Sequence, residues 1–419
     1  MLPRFWCPTG RAIDSSAPVG ESTNSYLWGK HREYRLSELF DLQMGNTPSR
    51  DHPAYWDSPQ YAWISIADLS SAGKYITDTK ESLSALAVEE SGIKVIPAQT
   101  VVMSFKLSIG KVAITPMPMY SNEAIMAFVD KGIVKIDPEY LYYLLLHRDW
   151  EEGTNKAVMG KTLNKATLSN VVISIHPYEE QREIVLVLNR VSTIIEEYKL
   201  QLRTLDQLIK ARFVEMFGDP EYNNKRWPLK RLNDLCNVGS SKRIYQEEQT
   251  MEGVPFWRIS DLVSKMDTGN VESILFIPES RYEELKGQGL VPEPGDILVT
   301  SRGTLGRCYI VDPSDRFYFQ DGMISWLSNY SDEIMPLYIQ YLFNMSGFKK
   351  QIDGLQAGST VAYLSIAMLK KLNVMVPSRK LQEQFVSFVS QVDKSKLSIQ
   401  ASLDQLETLK QSLMQKYFG

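Results

Sequence analysis

Two segments of this chain read as copies of one another, roughly 200 residues apart, and each is a β-rich block that runs into one long heptad helix. Ile66, Asp68 and Leu69 recur as Ile259, Asp261 and Leu262. The stretch Val101–Lys111 recurs as Ile297–Arg307, with an apolar strand-like run, a polar turn around glycine and a closing cation in both. The helices open on Glu180-Gln181 and Glu383-Gln384, and close on Phe217-Gly218 and Phe418-Gly419. A duplicated unit restricts the possible folds sharply, because whatever one copy builds the other must build too.

The order of elements supports the duplication. The first block, 34–178, carries strand-like runs at Ala62–Ile66, Thr100–Phe105, Val112–Ile114 and Val171–Ile175, with a helix from Pro138 to Leu146. The second block, 227–378, repeats the series at Phe256–Ile259, Asp296–Thr300, Cys308–Val311 and Leu372–Val376, with its helix at Pro336–Phe343. Residues 219–226 read as a linker. Residues 1–33 have no counterpart and are rich in Gly, Ser, Thr and Pro, so they read as a poorly ordered extension or one lying on a neighbour. The expected class is α+β, with two pseudo-repeated mixed α/β domains joined by two long helices.

Those helices, 179–218 and 379–419, carry the clearest periodicity. In the first, apolar residues fall at Ile184, Leu188, Val191, Ile195, Tyr198, Leu202, Leu205, Ile209 and Met216, with Arg212 the one polar intruder. The same 4-3 spacing in the second gives Phe385, Val389, Val392, Lys396, Ile399, Leu403, Leu406, Lys410, Leu413 and Tyr417. So narrow a stripe favours a coiled coil over a rod lying on its own domain. The 38 residues from Glu180 to Phe217 span roughly 57 Å at about 1.5 Å per residue. Rod one leads away from the first block and rod two starts at the second, so paired rods must run antiparallel. Such a chain suits a partner with two similar sites at fixed spacing, of which DNA is the obvious example.

Composition narrows the classes further. Hydrophobic content of 43% and charged content of 23% describe a soluble globular protein. No apolar run approaches the roughly 18 residues that span a bilayer, and no secretory signal pattern opens the chain. Cys7, Cys236 and Cys308 form neither a disulfide framework nor a metal clip, which fits a reducing cytoplasm. The net charge of -4 means that a DNA reader must gather its cations locally or borrow charge from partners. Catalytic motifs are missing. The only Gly-x-Gly, Gly287-Gln288-Gly289, does not follow an apolar strand, and there is no phosphate-loop, zinc-protease or nucleophile-elbow pattern. His31, His52, His147 and His176 show no ligand spacing, so no metal site is expected.

The polar turns between strands carry the candidate contacts. They comprise Asn46, Thr47, Ser49 and Arg50 in the first block, matched by Lys242 and Arg243 in the second. Lys106 and Lys111 flank one glycine turn, Arg302 and Arg307 its counterpart, and Arg258 precedes the repeated Ile-x-Asp-Leu. Lys156 and Lys161 lie just before the last strand of the first block, where the second block has Gln356–Thr360. Such side chains supply what base edges and phosphates require.

The doubled series resembles the DNA-specificity (S) subunit of type I restriction–modification systems over about residues 34–419. Gly45-Asn46-Thr47-Pro48-Ser49, Tyr55-Trp56, Trp63–Leu69 and Gly253–Leu262 carry the resemblance, together with the late prolines before each Glu-Gln helix start. It implies two target recognition domains, each reading half of a split double-stranded DNA site. The coiled coil would set the unread spacer and dock two modification subunits. Those partners would supply S-adenosylmethionine, restriction subunits would bring ATP- and Mg-dependent translocation and cleavage, and this chain would hold no cofactor or catalytic residue. The N-terminal extension departs from the family pattern, as does the lack of a Lys242-Arg243 pair in the first block. A coiled-coil scaffold or silent decoy subunit, binding protein partners without reading specific DNA, remains a second reading. An enzyme with its own nuclease or methylase site is a third.

Overall fold

The computed structural model describes residues 31–56, 60–106, 108–150, 163–271, 273–355 and 362–419. The chain divides into two compact units. Unit one takes the chain up to Ile195 together with Gln405–Gly419, and unit two is Glu196–Asp404.

Unit one holds nine strands among its described residues. They are β1 (Arg32–Arg35), β2 (Phe40–Met44), β3 (Tyr61–Ile64), β4 (Glu81–Leu83), β5 (Val101–Ser104), β6 (Val112–Ile114), β7 (Tyr120–Ser121), β8 (Ile125–Asp130) and β9 (Val172–Ile175). They form a four-stranded sheet ordered β2-β8-β5-β6, a three-stranded sheet ordered β4-β3-β7 and the ribbon β1-β9. β5 lies inside the larger sheet with all four of its residues buried, which is why it reads as an unbroken apolar run.

Unit two repeats this plan strand for strand. Its strands are β10 (Leu229–Arg231), β11 (Asn237–Gly239), β12 (Val254–Trp257), β13 (Phe276–Ile277), β14 (Ile297–Thr300), β15 (Cys308–Ile310), β16 (Tyr318–Phe319), β17 (Ile324–Ser328) and β18 (Asn373–Met375). The sheets run β11-β17-β14-β15, β13-β12-β16 and β10-β18. Even the parallel pairings between named strands match, β3 with β7 and β12 with β16. The fold is the expected pair of mixed α/β repeats.

Rod one is Tyr178–Phe217 and rod two Arg379–Phe418, each 40 residues long. In unit two, Asp206 meets Lys396 at 2.6 Å, while Phe213 and Phe217 pack on Phe385 with centroids 5.5 and 5.4 Å away. Partner numbers fall as rod-one numbers rise, so the helices are antiparallel. In unit one, Ile184 and Leu188 share a core with Met414 and with Tyr140 and Tyr143 of the helix Pro138–His147. Of the heptad positions, Ile184, Leu188, Val191, Ile195, Ile209, Phe385, Val389, Val392 and Leu403 are buried. Tyr198, Leu202, Leu205, Ile399, Leu406 and Leu413 are half-buried. Two of the polar seam residues have acidic partners, Lys396 on Asp206 and Arg212 on Glu215 at 2.7 Å.

Four local expectations change. The repeated Ile-x-Asp-Leu does not end a strand. Chain Ala62–Ile66 leaves its strand at Ile64, and a helix runs Ile66–Ser71; the counterpart helix is Ile259–Thr268. The aspartate is the reason. Asp68 Oδ2 accepts from the Ser65 N–H at 2.9 Å and Asp261 Oδ2 from the Arg258 N–H at 2.8 Å, which is half of a capping box. Arg32 and Glu33, assigned by sequence to the extension, belong to β1 and pair with Ile175 and Ser174.

The two Glu-Gln pairs are not equivalent. Gln181 donates to the His176 carbonyl at 2.9 Å and Gln382 to the Pro377 carbonyl at 2.9 Å, so Gln382 and not Gln384 matches Gln181. Both glutamines are fully buried and knit the start of their rod to the start of the helix Pro138–His147 or Pro336–Asn344, through Asp137 N–H and Met335 N–H. Finally, the division between units falls inside the rods, at Ile195/Glu196 and Asp404/Gln405, and not where the globular blocks end.

Candidate DNA-recognition surfaces

In each unit the backbone draws the same loops to one end of the larger sheet. In unit one, Asn46 N–H donates to Ser121 O at 2.9 Å, Phe105 N–H to Ala124 O at 3.0 Å and Leu163 N–H to Phe105 O at 3.2 Å. In unit two, Ser301 N–H donates to Met323 O at 2.9 Å, Leu364 N–H to Ser301 O at 3.0 Å and Ser240 Oγ–H to Ile324 O at 3.1 Å. The end of the first sheet strand, the turn after β5 or β14 and the segment entering β8 or β17 therefore meet.

The glycine turns are built alike. Ser104 at the end of β5 donates to Ser108 O and accepts from Lys111 N–H at 3.1 Å. Thr300 at the end of β14 donates to Thr304 O and accepts from Arg307 N–H at 3.0 Å. Gly110 and Gly306 hold φ of 84° and 74°, a left-handed conformation that residues with a Cβ avoid. Gly45 is required for another reason: a Cβ there would lie 2.2 Å from the carbonyl oxygens of Ser121 and Asn122.

The structure sorts the candidate side chains by what already holds them. Arg50 forks onto Glu81, with one contact at 3.0 Å, and lies 3.8 Å over the Trp56 ring. That guanidinium holds the Glu81 carboxyl below the usual range. Thr47 donates to Glu123, whose carboxyl is held low by that bond first; the charges of Lys106 and Arg50 add to it. One acid thus links Thr47, Arg50 and Lys106. Asn46 donates to Ser91 O at 3.3 Å, and Ser49 O accepts from Trp56 Nε1 at 3.1 Å. Lys111 reaches Ser70 Oγ at 2.7 Å.

In unit two, Arg243 pairs with Asp321 at 2.9 Å, Arg258 with Asp261 at 3.9 Å and Arg307 with Asp267 at 2.5 Å. Lys242 is anchored through its backbone to the Tyr318 hydroxyl at 2.8 Å, with its side chain exposed. Arg302 is exposed, 5.3 Å from the Tyr363 ring centre. Among the described residues, Lys106, Lys111, Lys242 and Arg302 are the candidate cations outside any direct ion pair with a carboxylate. Lys156 and Lys161 lie outside the described residues, as does Gln356–Thr360.

Sequence reasoning missed two features. The Trp56–Trp63 pair, edge to face at 5.0 Å, forms the platform under Arg50. A second is a side-chain cluster away from these loops: His31, His176 and Glu180 each bring one ligating atom within 4.8 Å of the others. Burial first, and the neighbouring His31 second, bring the His176 imidazole down to about 4. Spacing along the chain does not reveal this cluster, which depends on the pairing of the first strand of the unit with its last.

Two like units, each gathering polar loops at the same end of the same sheet, define a protein with a duplicated candidate recognition surface. The chain belongs to the family described as the type I restriction modification DNA specificity domain, which it matches over residues 30–203 and 224–408. It is 26% identical over 407 residues to the type I restriction enzyme MjaIX specificity subunit of Methanocaldococcus jannaschii, covering 91% of each chain. It is also 26% identical, over 66% of its own length and 69% of the relative's, to a putative type I restriction enzyme specificity subunit of Haemophilus influenzae. In fold it is similar to a chain from a type I restriction–modification system solved to explain complex assembly and conformational transition. That match has a TM-score of 0.58 at 17% identity and covers 94% of this chain and 99% of the other. The crystal structure of the type I S subunit from M. genitalium matches with a TM-score of 0.52 at 16% identity, over 95% and 98%. No helix among the described residues is long and apolar enough to cross a membrane.

Proposed function

We propose that this chain is the sequence-reading subunit of a type I restriction–modification complex, each unit recognising one half of a bipartite double-stranded DNA site. The observation that carries the reading is the strand-for-strand repetition of one sheet with its loop cluster, in a chain whose family is defined by DNA specificity. The antiparallel rods set the spacer and offer surface to two modification subunits. Methyl transfer from S-adenosylmethionine belongs to those subunits, and ATP- and Mg-dependent cleavage to restriction subunits, in the cytoplasm. This chain contributes recognition and positioning alone.

Lys106, Lys242 and Arg302 are the first-choice DNA contacts, because no direct ion pair has to break for them to approach a phosphate or base, whereas Lys111 already reaches Ser70. Arg50, Arg243, Arg258 and Arg307 orient the loops. The test reconstitutes the chain with its modification subunits and maps methylated bases on random-sequence DNA. A single split motif, with an unread gap of constant length, is expected. Complex formation without any motif would establish the scaffold reading instead.

A further inference from the structure

We propose that His31, His176 and Glu180 of unit one form a binding site for one divalent transition-metal ion of the zinc type. The argument starts from strand register. β1 and β9 are antiparallel, with Arg32 opposite Ile175, and one further step along the same register sets His31 opposite His176. Their rings stand 4.0 Å apart, tilted by 49°. Glu180 follows His176 by four residues and lies in the first turn of rod one. The three ligating atoms, two nitrogens and a carboxylate oxygen, are within 4.8 Å of one another. A tetrahedral zinc site with bonds of about 2.0–2.1 Å needs ligand separations of about 3.3 Å, so the three side chains would draw together on binding the ion.

The surroundings fit a ligating imidazole. His176 is 5% exposed, and its Nδ1 lies 2.7 Å from the Tyr140 hydroxyl. That hydroxyl also lies 3.4 Å from the Ser174 carbonyl. With the phenol proton given to the carbonyl, Nδ1–H would donate to the phenol oxygen and leave Nε2 as the ligating nitrogen. A polar group holding the far nitrogen is the usual second partner of a metal-bound histidine. An open cavity of about 660 Å³ adjoins the cluster, and His31, His147 and His176 all line it, three of the four histidines in the chain. It leaves room for a water molecule as fourth ligand.

The second unit provides an internal control. Leu36 N–H bonds to Val171 O and Leu232 N–H to Leu372 O, which sets the equivalence of the two ribbons. Tyr338 donates to the Met375 carbonyl as Tyr140 does to that of Ser174, and Gln382 repeats Gln181. At the places of His31, His176 and Glu180, however, unit two has Trp227, Pro377 and Leu381. The scaffold thus closes without ligating side chains, and the trio in unit one is an addition to it. Two imidazoles with one carboxylate select Zn²⁺, Co²⁺ or Ni²⁺ over Mg²⁺ or Ca²⁺, which prefer all-oxygen shells. Bound metal would staple the entrance of β1 to the first turn of rod one.

The test uses the full chain, stripped with chelator, and titrates Zn²⁺ alone by calorimetry and Co²⁺ alone by visible absorption. One ion per chain is expected, with the Co²⁺ bands of a low-coordinate nitrogen–oxygen site and no displacement by millimolar Mg²⁺. His31→Gln and Glu180→Gln should each weaken binding at least about tenfold while leaving the circular dichroism of the metal-free chain unchanged. His52→Gln, remote from the cluster, should bind like the parent. Absence of a stoichiometric site overturns the proposal, and so does binding that His31→Gln and Glu180→Gln leave intact. Because the readout is metal occupancy, failure here would not touch the DNA-recognition reading.

Discussion

Replacing Arg302 by alanine tests the assignment of DNA contacts most directly. Arg302 is exposed on the glycine turn after β14, outside any carboxylate pair among the described residues, and its neighbour is the Tyr363 ring at 5.3 Å. An exposed cation–π contact at that range is worth about 0.5–1 kcal/mol and is easily exchanged for a stronger one. If Arg302 reads a base, its loss should cost about 1–3 kcal/mol, or roughly 5- to 150-fold in affinity, and relax one position of one half-site. If it contacts phosphate, all sequences should weaken alike and the salt slope should fall by about 0.9. Arg307→Ala is the comparison. Arg307 already pairs with Asp267, so its effect should come through loop geometry and be smaller. The assay is binding of the complex with modification subunits to a panel of sites degenerate at each position, across a range of salt. Equal relaxation of both half-sites by Arg302→Ala would refute the assignment of one unit to one half-site. A larger loss from Arg307→Ala than from Arg302→Ala would refute the ranking by ion pairing.

Three further outcomes are expected. Gln382→Ala removes a fully buried amide with contacts of 2.8, 2.9 and 2.9 Å to Glu333 O, Pro377 O and Met335 N–H, and should cost about 2–4 kcal/mol. Faster hydrogen exchange at the Met335 amide is the local readout, and an unchanged rate would show that the amide does not hold the helix start. Deleting one heptad from each rod shortens it by roughly 10 Å, about three base pairs, and should shorten the unread spacer or abolish binding; an unchanged spacer would end the ruler idea. Arg50 holds Glu81 below its ordinary value of 4.5, so the pair's contribution is present above that value and is lost as pH falls through the lower folded-state value. With side chains 51% and 39% exposed, it should amount to no more than about 1 kcal/mol. The Tm gap between the parent and Glu81→Gln should accordingly close in acid, and a gap that widens there would reverse the sign.

The repeated strands and the rods were legible because their signals are periodic and doubled. β5 and β14 are buried runs of four, and the 4-3 stripe needs nothing beyond the chain to be seen. What escaped was set by contacts distant in sequence or by capping. Ile66-Ala67-Asp68-Leu69 looked like the end of a strand because apolar residues flank it, but the Asp68 carboxylate turns the chain into a helix. The Glu-Gln pairs suggested an alignment that two buried amides overrule. The candidate cations were identified by type, yet Arg50, Arg243 and Arg307 proved committed to Glu81, Asp321 and Asp267, partners 31, 78 and 40 residues away. His31 and His176 meet only because the first strand of unit one pairs with its last.

The division of the chain inside its rods also bears on the order in which the protein can be made. Unit two is one continuous stretch, Glu196–Asp404, and its core is complete once that stretch has left the ribosome. Unit one is synthesised first but finished last, since Leu413, Met414, Tyr417 and Phe418 complete the core around Tyr140 and Leu188. At about 5–20 residues per second, the intervening stretch keeps the earlier unit waiting for roughly 10–40 s. During that interval the apolar faces of Tyr140, Leu144 and Leu188 lack their final cover, and the nascent chain is most exposed to aggregation and proteolysis.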